Sequence, residues 1–175
     1  MAVQYWDDVL YPSFRAAIRG TIYTVLTQDE LDEECYNLAC RAIAAFKFPK
    51  VDLSYTTFYA YWDDDVLEEV DPNDEDEMED AVPHAYFDNE VGFAEISIVI
   101  AWMKVYWTEM QISNADNFED MYTDVNIKSY SRANAVDKNL KTLEYFRAQA
   151  KDLENQYSRV NSNKKPALGD VNEDE

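Results

Sequence analysis

The sequence predicts a mainly α fold: a helical bundle with a small β-hairpin and a long C-terminal helix followed by an extended tail. Two observations support this prediction. Apolar residues recur every three or four positions in several segments, which is typical of amphipathic helices. The chain of 175 residues also contains only 3 glycines, too few for an all-β fold rich in tight turns. With 47% hydrophobic residues, it is long enough for one domain with a packed core.

The first twelve residues are aromatic and acidic, without a clean period. The aromatic pair Tyr5–Trp6 could pack on its own domain or on a neighbouring subunit, and the pattern does not choose between them. A short helix is predicted after Pro12, where four apolar residues share one helical face: Phe14, Ile18, Ile22 and Val25. Gly20 interrupts this pattern and weakens it.

The second helix has a clear beginning. Thr27 and Glu30 form a capping box, in which each side chain can bond to the backbone amide of the other residue. One apolar face follows, made of Leu31, Cys35, Leu38, Ala42 and Phe46. Pro49 is expected to end the helix.

A β-hairpin is predicted in the middle of the chain. Apolar and polar residues alternate over residues 50–62, and a second strand is expected at residues 85–88, paired with the first. Between them, 12 of the 18 residues in 63–80 are acidic. The carboxylates in such a run repel one another and oppose packing, so the segment is predicted to be an extended surface loop.

Two longer helices and a tail complete the prediction. A helix that is apolar on several sides begins after Asp88 and is expected to break at Ser113–Asn114, followed by a short helix at about 115–124. The last helix spans about 131–159 and is amphipathic. These elements predict one helical domain, residues 1–160, with the acidic loop 63–80 inserted, and a flexible tail at 161–175. No leader peptide or membrane segment is expected.

The search for reactive groups predicts no catalytic residue, no cofactor and no metal site. His84, the single histidine, is expected on the surface beside a turn. Cys35 and Cys40 fall on different helical faces, which favours free thiols.

A calcium site is a weaker alternative. Four residues with side-chain oxygens alternate at Asp71, Asn73, Glu75 and Glu77, but the run lacks the glycine of an EF-hand, so a solvated charge run is favoured.

Three segments resemble a known protein family: Leu26–Leu31 leading through to Phe46–Pro49, the helix Glu95–Trp107, and Tyr130–Asn134 leading to Tyr157–Arg159. They resemble head–tail connector proteins (adaptor or neck ring proteins) of tailed bacteriophages, including those of crAss-like phages.

The resemblance implies a structural protein of the virion neck, assembled in the host cytoplasm. It implies a ring, a dodecamer, that joins the portal protein to other neck or tail proteins and surrounds the passage for DNA. A projecting C-terminal segment reaches the portal in such proteins. The matching contact residues here are Arg159, Lys164, Lys165 and Leu168.

The net charge of -21 fits this role, because an acidic channel wall repels phosphates and lets DNA slide through without specific binding. Most of the acidic excess lies in the first 125 residues, whereas the last helix is richer in Lys and Arg. The same charge also suits an alternative, an acidic DNA mimic or regulatory protein that binds a basic protein partner. A metal-dependent enzyme using the carboxylates is a third, less favoured reading.

Overall fold

The computed structural model describes residues 3–18, 27–63, 66–73, 78, 81–117 and 128–160, with backbone only for 63, 114–117, 128–136 and 160. In chain order, its helices and strands are β1 (Gln4–Tyr5), α1 (Trp6–Val9), α2 (Tyr11–Ala17), α3 (Gln28–Ala45), β2 (Tyr55–Asp63), β3 (Val66–Glu69), β4 (Val82–Phe87), α4 (Phe93–Asn117) and α5 (Lys128–Val160).

The predicted fold class is wrong in its β content. Instead of a small hairpin, the chain forms a four-stranded antiparallel sheet in the order β1-β4-β2-β3. The predicted pairing of the two central strands is confirmed, and Phe58 of β2 lies opposite His84 of β4. The outer strands were missed because β1 has only two residues and β3 lies inside the acidic run. Neither shows the apolar alternation by which strands are recognised.

Part of the predicted acidic loop therefore belongs to the sheet. Val66 to Glu69 form β3 at the edge of the sheet, paired with the end of β2. Charged side chains are tolerated at an edge because they remain in water and also discourage further strand pairing. Glu68 and Glu69 are exposed, and Tyr61 donates a hydrogen bond to Glu68 at 3.1 Å. The next residue, Val70, is only 3% exposed, so it anchors this edge to the body.

The capping box of α3 is confirmed. The Thr27 hydroxyl accepts a hydrogen bond from the Glu30 amide at 3.3 Å, and the Glu30 carboxylate accepts one from the Thr27 amide at 2.7 Å. The predicted apolar face points into the core, where Cys35, Leu38 and Ala42 are each at most 1% exposed. The helix ends at Ala45, before the predicted stop at Pro49.

Replacing Thr27 with alanine is expected to lower the free energy of unfolding by about 1 kcal/mol, because the first turn of α3 loses a bond to its free amide. Equilibrium urea unfolding measures this loss. The matched control is Thr142→Ala, whose exposed hydroxyl donates to the Lys138 carbonyl inside α5 and caps nothing. Its loss should be smaller, and equal losses for the two variants would contradict a capping role.

Helix α4 lies at the centre of the fold. One side, including Val99 and Met103 at 0% exposure, packs with the core of α1–α3 and the sheet. Another side, including Ala101 and Val105, packs against α5. The prediction of a helix buried on several sides is confirmed, but the predicted break at Ser113–Asn114 is wrong, since α4 continues to Asn117. Serine and asparagine lower helix propensity only modestly, so they do not have to end a helix.

The C-terminal part of the predicted fold class, a long helix followed by an extended tail, is also not borne out. The side chains described for α5, 137–159, remain on the body as far as Tyr157. The Tyr157 hydroxyl donates to the buried Glu95 carboxylate and accepts from the Lys50 amide, and its ring lies 5.6 Å from that of Phe46. An amphipathic stripe is stabilised by covering its apolar side chains, and α4 covers them here. The predicted tail, 161–175, lies outside the described residues.

Within the described part of the chain, no helix has the length and apolarity to span a membrane.

Candidate functional site

The N-terminal segment lies in the core of its own chain. Trp6, Leu10 and Tyr11 are at most 1% exposed. The indole of Trp6 has three aromatic neighbours, with ring centroids at 4.7 Å (Tyr55), 5.6 Å (Phe87) and 5.7 Å (Tyr36). Of the two options left open by the sequence, local packing is observed for Trp6, whereas Tyr5 is 38% exposed. Because Trp6 is anchored, the next residue, Asp7, is held against the sheet.

The predicted surface position of His84 is wrong, since its side chain is 0% exposed. The imidazole stacks on its cross-strand partner Phe58, with ring centroids 5.6 Å apart. Its Nδ1 lies 3.0 Å from Oδ1 of Asp7. Which of the two atoms donates depends on the tautomer of the imidazole. The aromatic and β-branched residues around position 84 are the signal that could have placed this histidine on a buried strand.

Asp32 of α3 is a buried acid, at 1% exposure. Its Oδ1 accepts a hydrogen bond from the Arg15 guanidinium. Its Oδ2 accepts from Trp62 Nε1 at 2.7 Å and from Gln28 Nε2 at 3.0 Å. Sequence analysis did not single out Asp32, although its position three residues before Cys35 places it on the buried face of the helix.

The three side chains converge. One potential ligand atom each of Asp7, Asp32 and His84 lies within 4.8 Å of the other two. We call these three residues the buried triad. Nitrogen and oxygen ligands of this kind suit a divalent metal ion, a possibility that the sequence did not predict. The triad is the candidate functional site because it gathers two carboxylates and an imidazole where water is scarce.

Burial also sets the titration of the groups around the triad. It raises the pKa of the Cys35 thiol to about 12 and, together with Asp7, raises the pKa of Tyr11. Burial opposes the charge of Arg15, but Asp32 and Cys35 more than offset this, so the pKa of the guanidinium is raised. Cys35 is therefore a protonated, unreactive thiol at neutral pH. Both cysteines are free, as predicted, although Cys40 is only half-buried.

A cleft of about 340 Å³ opens beside the triad. Its walls combine aromatic rings with carboxylates, and its lining residues are Tyr5, Asp7, Asp8, Phe58, Trp62, Leu67, Glu69 and Tyr86. One of them, Asp7, belongs to the triad, and another, Trp62, donates a hydrogen bond to Asp32, so these two connect the triad to the cleft. Aromatic faces and carboxylates both attract cations, so this cleft suits a positively charged group.

The residues predicted to bind a partner lie elsewhere. Arg159 is exposed in the last turn of α5, and Lys164, Lys165 and Leu168 fall outside the described residues.

Of the four residues of the alternative calcium site, the structure describes only Asp71 and Asn73. Asp71 accepts hydrogen bonds from the backbone and side chain of Asn73, which lower its pKa, whereas Glu75 and Glu77 are not described.

None of the known protein families, curated proteins or solved structures compared with this chain matches it, so its site is interpreted from its own residues.

Proposed function

We propose that this protein is a structural subunit of a ring at the portal–tail junction of a tailed phage, joining the portal to the tail and lining the DNA passage. The observation that carries the proposal is the outer face of α5. Leu140 is 45% and Tyr145 63% exposed there, beside the exposed Lys138 and Lys141. Large apolar side chains among lysines favour contact with an acidic protein surface.

The chain itself supplies such an acidic surface. Residues 1–125 contain 28 acidic and 6 basic side chains, whereas residues 128–165 contain 4 acidic and 9 basic ones. When two complementary patches lie on different parts of one subunit, copies associate head to tail. Such contacts form a closed ring if the rotation from each subunit to the next brings the last subunit into contact with the first. The acidic excess left over would face the lumen, where it repels the DNA backbone.

The test is co-expression of the chain with the portal protein encoded in the same phage genome, followed by negative-stain electron microscopy. Rings attached to the portal are expected for the natural chain. The double variant Leu140→Ser with Tyr145→Ser should remain folded by circular dichroism but lose most of this attachment. The matched control, Asn155→Ser with Gln156→Ser, changes two other exposed α5 positions and should assemble normally. A natural chain that remains monomeric and does not bind the portal would reject the proposal.

A second candidate is an acidic DNA mimic or regulatory protein that binds a basic partner. The specific observation in its favour is the aromatic and acidic cleft beside the triad, which suits an arginine or lysine side chain. This function predicts a monomer or dimer by light scattering, and competition between the chain and DNA for a basic DNA-binding protein.

A further inference from the structure

The buried triad draws its ligand atoms from three separate elements. Asp7 lies on α1, Asp32 on α3 and His84 on β4. The side chains of Asp32 and His84 are 1% and 0% exposed, and that of Asp7 is 14% exposed. A group bound to all three would connect the N-terminal segment to the helical layer and to the sheet.

Two polar side-chain atoms of the triad residues lack a partner. His84 Nε2 and Asp7 Oδ2 are buried, and neither accepts a hydrogen bond from the described residues. A metal ion bound by His84 and Asp7 together would take the place of the proton between Nδ1 and Oδ1, because Nε2 lies on the opposite edge of the ring from Asp7. Buried polar atoms are nearly always satisfied in folded proteins, by protein, water or an ion. The unsatisfied Oδ2 of Asp7, buried beside the imidazole, points to a bound ligand.

The remaining hydrogen bonds hold the triad in place. The two oxygens of Asp32 accept three hydrogen bonds, from Arg15, Gln28 and Trp62. A carboxylate has about four acceptor positions, so one remains. Nδ1 of His84 and Oδ1 of Asp7 lie 3.0 Å apart, a separation that two ligands of one metal ion can have. Arg15 neutralises one of the two carboxylates, so the triad keeps negative charge for a cation. Its metal affinity is expected to be lower than that of a cysteine-rich zinc site.

We propose that Asp7, Asp32 and His84 bind a divalent transition-metal ion, with water completing its coordination. Imidazole together with carboxylate suits zinc or manganese better than calcium, which prefers oxygen ligands alone. The ion acts structurally, because binding only to the folded chain stabilises it. This inference does not depend on the proposed ring function.

The experiment uses the full chain, stripped with EDTA and titrated with zinc chloride or manganese chloride by calorimetry. We expect one ion per chain and a rise in melting temperature for the natural protein. Asp7→Asn and His84→Gln should each weaken binding by about tenfold or more. Because His84→Gln could fail to fold, Asp7→Asn, at a partly exposed position, is the deciding variant.

The control is Asp71→Asn, which removes an exposed carboxylate from the acidic stretch. It should bind the ion as the natural chain does. Absence of heat and of any thermal shift in the natural chain would overturn the proposal. So would a loss of binding in Asp71→Asn but not in Asp7→Asn, because the ion would then be held by the acidic surface.

Discussion

Replacing Trp6 with alanine is expected to lower the free energy of unfolding by about 3–5 kcal/mol, the usual cost of removing a buried indole. The side chain is 0% exposed and contacts the rings of Tyr36, Tyr55 and Phe87. Its removal leaves a cavity between α3 and the sheet, because these elements cannot fully collapse into the gap. A domain of this size has a total stability of about 5–15 kcal/mol, so the variant should be near the limit of folding.

Urea unfolding, followed by circular dichroism, measures this effect. The matched control is Val3→Ala, which removes an apolar side chain that is 52% exposed in the same segment, and we expect a change within about 0.5 kcal/mol. A loss for Trp6→Ala as small as that of the control would mean that the N-terminal segment does not pack on its own domain.

Replacing Asp32 with asparagine is expected to lower the free energy of unfolding by about 3 kcal/mol or more. The change removes the charge that faces Arg15, a partner whose side chain is only 27% exposed, and places an amide donor among three donors. Breaking one partner of a buried pair is costly because the other charge remains without compensation. The measurement is made in EDTA, so that any bound metal ion does not contribute.

The comparison for Asp32 is a salt bridge of the same type on the surface. Asp137 and Lys141 lie one helical turn apart, with side chains 61% and 72% exposed. Water screens this pair, so Asp137→Asn should change stability by no more than about 0.5 kcal/mol. If both substitutions cost equally little, the Asp32–Arg15 contact would be a solvated pair, and the picture of a dry triad would be wrong.

The sequence by itself determined the elements whose signals are local. The capping box at Thr27 marks the first turn of α3, because both of its bonds connect residues three positions apart. The alternation in residues 50–62 places β2, since side chains on a strand alternate between two faces. Likewise, the apolar repeat within α4 shows a helix buried on several sides, because its period of 3.6 residues is a property of the helix alone.

Only the tertiary structure decided the β1 and β3 pairings and the buried triad. Asp7 and His84 are 77 positions apart, and no local pattern shows that they meet. A carboxylate or a histidine normally lies in water because burial costs solvation energy, so sequence alone placed His84 on the surface. The chain offsets that cost mainly through partners supplied by distant elements: Arg15 and Trp62 for Asp32, and Asp7 for His84. Such compensation exists only once the helices and the sheet are packed together.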